Sequence, residues 1–186
     1  MKMSNTIIVA EDEPITRMDI CEMLTSAGYY VVGEASNGLQ AVELCRRFKP
    51  DLVLMDIKMP KLDGIQAAKL LIKENVVESI VILTAYSGKE FIDKVKEVGV
   101  IGYIVKPIDE NRLIPQVEIA ISKGKEIKLM KENIKNTKVI HEAKEILMEK
   151  YKLTENDAYK KLRKMSMDKQ VSILETCKNV IKYKAY

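Results

Sequence analysis

Five side chains equipped for chemistry each follow a short apolar run. Ile7-Ile8-Val9-Ala10 leads into Glu11-Asp12, Leu52-Val53-Leu54-Met55 into Asp56, Ile80-Val81-Ile82-Leu83 into Thr84, and the run 101–105 into Lys106. Three carboxylates that converge without a cation repel one another, and their pKa values rise. A divalent hard cation resolves that conflict, and Mg²⁺ characteristically takes one or two carboxylates together with water. Thr84 adds a hydroxyl and Lys106 a fixed positive charge. A carboxylate nucleophile, a cation, a hydroxyl and an ammonium are the groups that transfer of a phosphoryl group requires. One acid at the end of a strand is ordinarily a cap or a solvated loop residue. Recurrence at matching strand ends makes that reading insufficient here.

Strands that are apolar throughout are buried on both faces, which requires helices on both sides. A further run, Tyr30-Val31-Val32-Gly33, follows Gly28. Four segments with helical spacing separate the runs. The first holds Met18, Met23 and Leu24 and stops near Gly28; the second holds Leu39, Val42 and Leu44 and stops near Pro50. The third runs from about Ile65 to Ile72, and the fourth holds Phe91, Ile92, Val95 and Val98 and stops at Gly99. Five strands alternating with helices predict a doubly wound α/β fold with a five-stranded parallel sheet, whose function gathers at the carboxyl ends of the strands.

Strand signals stop near Asp109. Leu113, Val117, Ala120, Ile127, Met130 and Ile134 continue a helical spacing, and no Pro or Gly pair interrupts 125–151. One long helix, or two nearly continuous ones, is expected from about 110 to 151, with Pro115 in its first turn, where a missing N–H does little harm. Its polar middle fits either a short coiled-coil dimer seam or a surface helix packed on its neighbours. Thr154 with Asp157 resembles a capping box that starts a helix carrying Ala158, Leu162 and Met165 on one face. Ser166 or Asp168 can cap a last helix with Val171, Leu174, Cys177 and Ile181 inward. A small all-α three-helix domain of roughly 45 residues has a marginal core and leans on its long helix and on a partner. The expected division is 1–123, a helical linker 124–137, and 138–186.

Composition bounds what remains. The chain has 186 residues, 47% hydrophobic and 31% charged, with 8 Gly and 5 Pro, which excludes a disordered or collagenous chain. No apolar run approaches the roughly 18 residues that span a bilayer, and an acidic cluster arrives before a signal-peptide apolar region can develop. Cys21, Cys45 and Cys177 form no CxxC pair and read as small buried hydrophobes in a reducing cytoplasm. His141 is the single histidine, so a His-based metal site or a Ser-His-Asp triad is excluded. Residues 1–122 carry 14 Lys and Arg against 18 Asp and Glu, whereas 123–186 carry 17 against 9. An acidic front and a basic back suggest two modules with different partners, and a polyanion suits the second.

Residues 5–123 resemble the receiver domain of two-component response regulators, a flavodoxin-like fold. The resemblance lies in Ile8-Val9-Ala10-Glu11-Asp12-Glu13-Pro14, Met55-Asp56-Ile57-Lys58-Met59-Pro60 with Asp63-Gly64, Leu83-Thr84-Ala85, and Gly102-Tyr103-Ile104-Val105-Lys106-Pro107. It implies that Asp56 accepts phosphate from a sensor histidine kinase, and that the protein is no enzyme beyond slow self-dephosphorylation. It also implies that Asp12 binds Mg²⁺ directly, Glu11 binds it through water, and the Lys58 carbonyl is a further ligand. Thr84 and Lys106 would hold the phosphoryl oxygens, Tyr103 would be an aromatic switch, and Lys106-Pro107 would be cis. Glu11 stands where Asp is commoner, and its extra methylene loosens the metal geometry.

The tail is similar to the ANTAR domain, an RNA-binding module of transcription antiterminators. The carrying residues are His141-Glu142-Ala143-Lys144-Glu145-Ile146-Leu147-Met148, Thr154 to Tyr159, Leu162-Arg163 and Ser166-Met167. Glu145 stands where Gly is common in the family, and Ser166 where Ala is. A receiver followed by ANTAR is the architecture of the antiterminators of ethanolamine-utilisation operons. It implies a cytoplasmic protein that binds hairpin RNA in leader transcripts, prevents termination, and forms a homodimer when phosphorylated. Lys144, Tyr159, Lys160, Arg163, Lys164 and Lys169 are the candidate RNA contacts, with Tyr159 able to stack on an unpaired base or to pack internally. A DNA-binding response regulator is disfavoured because the tail lacks room for a winged helix and lacks helix-turn-helix spacing. Intact Asp56, Thr84 and Lys106 disfavour an antiterminator governed by a partner instead of phosphate.

Overall fold

The computed structural model describes the backbone of residues 5–85 and 98–184. Strands β1 (Thr6–Ala10), β2 (Tyr30–Ala35), β3 (Leu52–Asp56), β4 (Ile80–Thr84) and β5 (Gly102–Val105) form one parallel sheet in the order β2-β1-β3-β4-β5. Helices α1 (Pro14–Ser26), α2 (Gly38–Phe48) and α3 (Gly64–Lys73) connect the first four strands. The helix expected from Phe91 lies outside the described residues up to Val98.

Alternate residues of the central strands feed two separate cores. Ile8, Ala10, Val53, Met55 and Ile82 pack with Ala41, Val42 and Cys45 of α2 and Ala67, Ala68 and Leu71 of α3. Ile7, Val9, Leu52, Leu54, Val81 and Leu83 pack on the opposite face with Ile20 and Leu24 of α1. Burial on both faces therefore holds for β1, β3 and β4. It fails for β2 and β5, which are edge strands with partly exposed residues. Met18, expected on the inner face of α1, is 66% exposed; Ile20 and Leu24 are the residues that face inward. Leu39 of α2 is likewise exposed.

Helix α4 (Glu110–Tyr151) is continuous over 42 residues. Asp109 caps it, accepting from the Arg112 amide at 3.1 Å. Pro115 is therefore the sixth helical residue and lies beyond the first turn, contrary to expectation. Its ring removes the donor that the Asn111 carbonyl would use, and its exposed position lets water serve instead. Leu113, Val117, Ala120 and Ile121 complete the second core. Beyond them α4 passes the start of β4 closely. The Ser79 hydroxyl donates to the Ala120 carbonyl at 2.8 Å, and a Cβ on Gly124 would lie 2.8 Å from the Ser79 Cβ.

The chain divides into two compact units, Met1–Lys128 and Leu129–Tyr186, a boundary that falls inside the expected linker. In the second unit the end of α4 is joined by α5 (Glu155–Asp168) and α6 (Ile173–Lys184). Ala143, Leu147, Ala158, Leu162 and Cys177 form its small core. Thr154 caps α5 as its spacing predicts: its hydroxyl oxygen accepts from the Asp157 amide at 3.2 Å and its hydroxyl donates to the Asp157 carboxylate at 2.7 Å. Neither Ser166 nor Asp168 caps α6, because α5 runs through both. Ser172 does so, with its Oγ accepting from the Glu175 amide at 3.1 Å. No helix among the described residues is long and apolar enough to cross a membrane.

Removing the Thr154 hydroxyl leaves first-turn amides of α5 unsatisfied. Thr154→Ala should cost the second unit about 1 kcal/mol. Hydrogen exchange reads this locally, as faster exchange at the Asp157 amide with the first unit unchanged.

Candidate functional site

Strand order reverses direction between β1 and β3, and the crevice beyond their carboxyl ends is where such sheets place function. Glu11 directly follows β1, and Asp56 is the last residue of β3. Register fixes the remaining groups. Asp56 pairs with Leu83, Thr84 pairs with Val105, and the Lys106 amide donates to the Thr84 carbonyl at 2.8 Å. The peptide bond between Lys106 and Pro107 is cis, as the motif implies.

Three of the chemical groups are almost fully enclosed: Glu11 is 0%, Thr84 1% and Asp56 4% exposed. Asp12 reaches the same place from the solvent side. Carboxylate oxygens of Glu11, Asp12 and Asp56 lie within 4.8 Å of one another. The Lys106 ammonium stands between the two buried acids, 2.7 Å from Glu11 Oε2 and 3.1 Å from Asp56 Oδ1.

Burial is the largest influence on both acids and raises their pKa values above the ordinary carboxylate range. Lys106 opposes it in each case, and a second carboxylate adds to it: Asp56 on Glu11, Asp12 on Asp56. Lys106 itself loses hydration, which favours its neutral form. The two carboxylates more than offset that loss and leave its pKa raised.

The Lys106 ammonium is the partner of the buried Glu11 Oε2. Three converging carboxylates, two of them buried, against that single ammonium suit a hard divalent cation. Lys58 lies two residues beyond Asp56 in the following loop, exposed at its side chain. Tyr103 sits on β5 and is partly exposed.

Two devices hold this corner that residue types alone did not indicate. Arg17 on α1 donates from Nη1 to the Glu11 carbonyl at 2.6 Å, while its Nε lies 3.2 Å from Glu34 Oε2 on β2. It thus ties the backbone of the acidic pair to the edge strand. An isolated arginine without periodicity carries no signal in the sequence. Gly64 opens α3 directly over Asp56, where a Cβ would lie 1.9 Å from the Asp56 carbonyl oxygen. The Gly64 amide donates to the Ile57 carbonyl at 3.0 Å, and Asp63 caps α3 by accepting from the Gln66 amide.

The basic residues of the second unit separate into groups. Lys160, Arg163 and Lys164 are exposed on one side of α5, with the Lys160 ammonium 3.8 Å from Asp157. Tyr159 is 42% exposed and so is not a core residue. Lys169 is exposed at the end of α5. Lys144 is largely buried, and its ammonium is engaged by Glu155.

Residues 7–118 match the family model described as the response regulator receiver domain, and residues 129–181 match the ANTAR domain. The transcriptional regulatory protein PdtaR of Mycobacterium tuberculosis (strain CDC 1551 / Oshkosh) is 38% identical over 182 residues, covering 94% of this chain and 88% of the relative. Chemotaxis protein CheY of Thermotoga maritima is 35% identical over 112 residues, covering 60% of this chain and 93% of that one. A crystal structure of a LuxR-family two-component response regulator from Aurantimonas sp. SI85-9A1 superposes with a TM-score of 0.61. It is 31% identical and covers 64% of this chain and 86% of the other.

The raised acids fix the sign of a pH effect. A carboxyl group with a higher pKa in the folded state holds its proton longer there, so stability falls as pH rises through that window. Lys106, raised in the other charge class, contributes stability until the pH passes its own folded value. In cation-free buffer the first unit should therefore lose stability as pH rises from about 4, the ordinary carboxylate value, through the raised values of the two acids, most steeply in Lys106→Met. Millimolar Mg²⁺ should recover much of it. A Lys106→Met melting temperature that is flat across that window would show that this ammonium does not compensate the acids.

Proposed function

The chain belongs to the response-regulator receiver family and carries an ANTAR domain, and on that premise we propose a phosphorylation-controlled, RNA-binding transcription antiterminator. One observation carries the phosphoryl-transfer half. Asp56 is buried at a strand end with the Lys106 ammonium at 3.1 Å and Thr84 on the adjoining strand. A nucleophile with a fixed counter-charge and an enclosed hydroxyl beside it suits phosphoryl chemistry and little else. The match of the second unit to ANTAR supports the RNA half.

In this reading an Asp56 carboxylate oxygen attacks the phosphorus of a phosphohistidine on a sensor kinase. A phosphorus–oxygen bond forms, the phosphorus–nitrogen bond breaks, and the imidazole leaves with its electron pair. Bound Mg²⁺ supplies charge neutralisation and orientation of the phosphoryl oxygens. Glu11, Asp12, Asp56 and the Lys58 carbonyl would hold it. Lys106 exchanges its contact with Asp56 for a phosphoryl oxygen, and Thr84 donates to another. Movement of Thr84 leaves space that Tyr103 fills from β5. That rearrangement alters the β5 surface and the start of α4.

Two-fold dimers match two-part targets, and linking two weak sites raises avidity without new contacts. Leu129, Met130 and Ile134 are exposed apolar residues on α4 and offer a short dimer seam. Residues 135–186 hold 13 Lys and Arg against 7 Asp and Glu, which attracts a nucleic acid of either kind. Preference for hairpin RNA then rests on shape and on unpaired loop bases. Lys160, Arg163, Lys164 and Tyr159 form the exposed surface for it, with Lys169 near its end. Lys144, paired with Glu155, contributes chiefly by holding α5 to α4.

Acetyl phosphate with Mg²⁺ should label wild type and convert it to a dimer in sedimentation. Asp56→Asn should show neither effect, and Asp12→Ala should fail to label through loss of the cation. Undiminished labelling of Asp56→Asn would exclude Asp56 as the acceptor.

At matched salt the protein should prefer hairpin RNA to duplex DNA of similar length. Arg163→Ala should cost about 1–3 kcal/mol of that affinity, through a guanidinium that stacks or grips phosphate. Lys164→Ala should cost less and flatten the salt dependence. Equal binding of duplex DNA would refute the antiterminator reading.

A further inference from the structure

The second unit contains a cavity of about 460 Å³ on a side of α5 that the Arg163 surface does not use. It lies among the end of α4, α5 and α6. Ile146, Leu147, Met165 and Val180 make its apolar floor. Its rim carries Lys150, Lys161 and Lys169 and the rings of Tyr151 and Tyr183, against Glu149 as the one carboxylate lining it among the described residues. The volume is in the range of about 300–1,000 Å³ typical of small-ligand pockets.

Chemistry of the rim narrows the occupant. Lys161 Nζ is held 3.4 Å from the centroid of the Tyr151 ring, and Lys150 Nζ 5.9 Å from it. Lys144 and Lys160, by contrast, stand beside acids. A cation held by a ring keeps its charge available to an anion while its position stays fixed. Tyr183 is 74% exposed at the mouth, with its ring available for stacking. An apolar floor, an exposed aromatic face and three lysines form a complementary set for one ligand class. That class is a planar heteroaromatic ring with phosphate on either side.

We propose that this cavity receives one unstacked base from the loop of a bound RNA hairpin, stacked on Tyr183, with Lys161 and Lys169 on the flanking phosphates. The inference rests on the RNA-binding reading above and adds a base subsite to it. Lys161 and Arg163 project from different sides of α5, so a hairpin that engages both straddles the helix, its backbone on one side and a splayed base on the other. Base–aromatic stacking tolerates any base, so sequence preference at this position would come from the fit of the ring against the floor.

The test uses the full-length protein, phosphorylated with acetyl phosphate, and hairpin RNAs of fixed stem and randomised loop. Binders selected from the pool are then made abasic at each loop position in turn. Tyr183→Ala should weaken the selected hairpin about tenfold, and Tyr183→Phe should retain affinity. One abasic position should cost wild type a similar factor, and Tyr183→Ala should then cost nothing more on that RNA. Lys161→Met should weaken binding and lower its salt dependence.

Tyr183 is exposed, so these losses should come with unchanged circular dichroism. If wild type binds a selected hairpin and Tyr183→Ala binds it equally well, the base subsite is refuted while RNA binding stands. If Tyr183→Ala changes sedimentation but not RNA affinity, the cavity is a protein contact and the proposal fails. If wild type selects no hairpin at all, the RNA-binding reading fails, and this proposal with it.

Discussion

Everything at the carboxyl end of the sheet depends on one ammonium between two buried carboxylates. Glu11 and Asp56 are enclosed where neither would hold a charge alone, and Lys106 lies within 3.1 Å of both. Burial outweighs that partner, so both acids remain raised, and two charges against one leave the cluster incompletely neutralised. Buried ionic groups of this kind add little net stability, since desolvation consumes most of the Coulombic gain. Their value is in the imbalance: a site short of positive charge is prepared to take a cation.

That arrangement needs a rigid frame, because a charged cluster relaxes if its backbone can move. Lys106 is fixed to Thr84 through the strand ladder, and Glu11 is anchored through Arg17 to Glu34 on the neighbouring edge strand. Close contacts finish the frame. Gly64 sits against the Asp56 carbonyl and Gly38 against the Leu62 carbonyl, both at distances that no side chain could share. The loop 57–63 is thereby held against its neighbours on both sides.

Much of this was legible beforehand because it follows from period and type. Apolar runs ending in acids located the strands and their functional ends, and the Thr154–Asp157 pair located a helix start. What escaped has a common physical character: it depends on which neighbour a segment meets. Edge strands resemble central ones in composition, so the partial exposure of β2 and β5 had no separate mark. Met18 and Ile20 are equally apolar, and only the crossing of α1 over the sheet decides which one faces inward. Ser166, Asp168 and Ser172 are all competent caps, and the length of α5 selected the last. Arg17 acts on a backbone carbonyl, a partner that every residue possesses and that a sequence therefore never singles out. Lys144 read as a candidate RNA contact because its engagement by Glu155 shows only once α5 is folded back beside α4.

The middle of α4 has a different standing from its ends. Residues 113–121 belong to one core and 139–148 to another, but 126–138 are mostly exposed and hold their shape through their own backbone bonds. Neither core constrains the length of that stretch. The acidic corner tolerates no added atom at Gly64, whereas here whole turns could be inserted without unpacking anything. The permitted insertions are still quantised. Seven or eleven residues leave the helix faces within about 20° of their present phase, while five or six turn one end against the other. The chain thus combines a corner with no room for an added atom and a connector that can lengthen by two or three turns at a time.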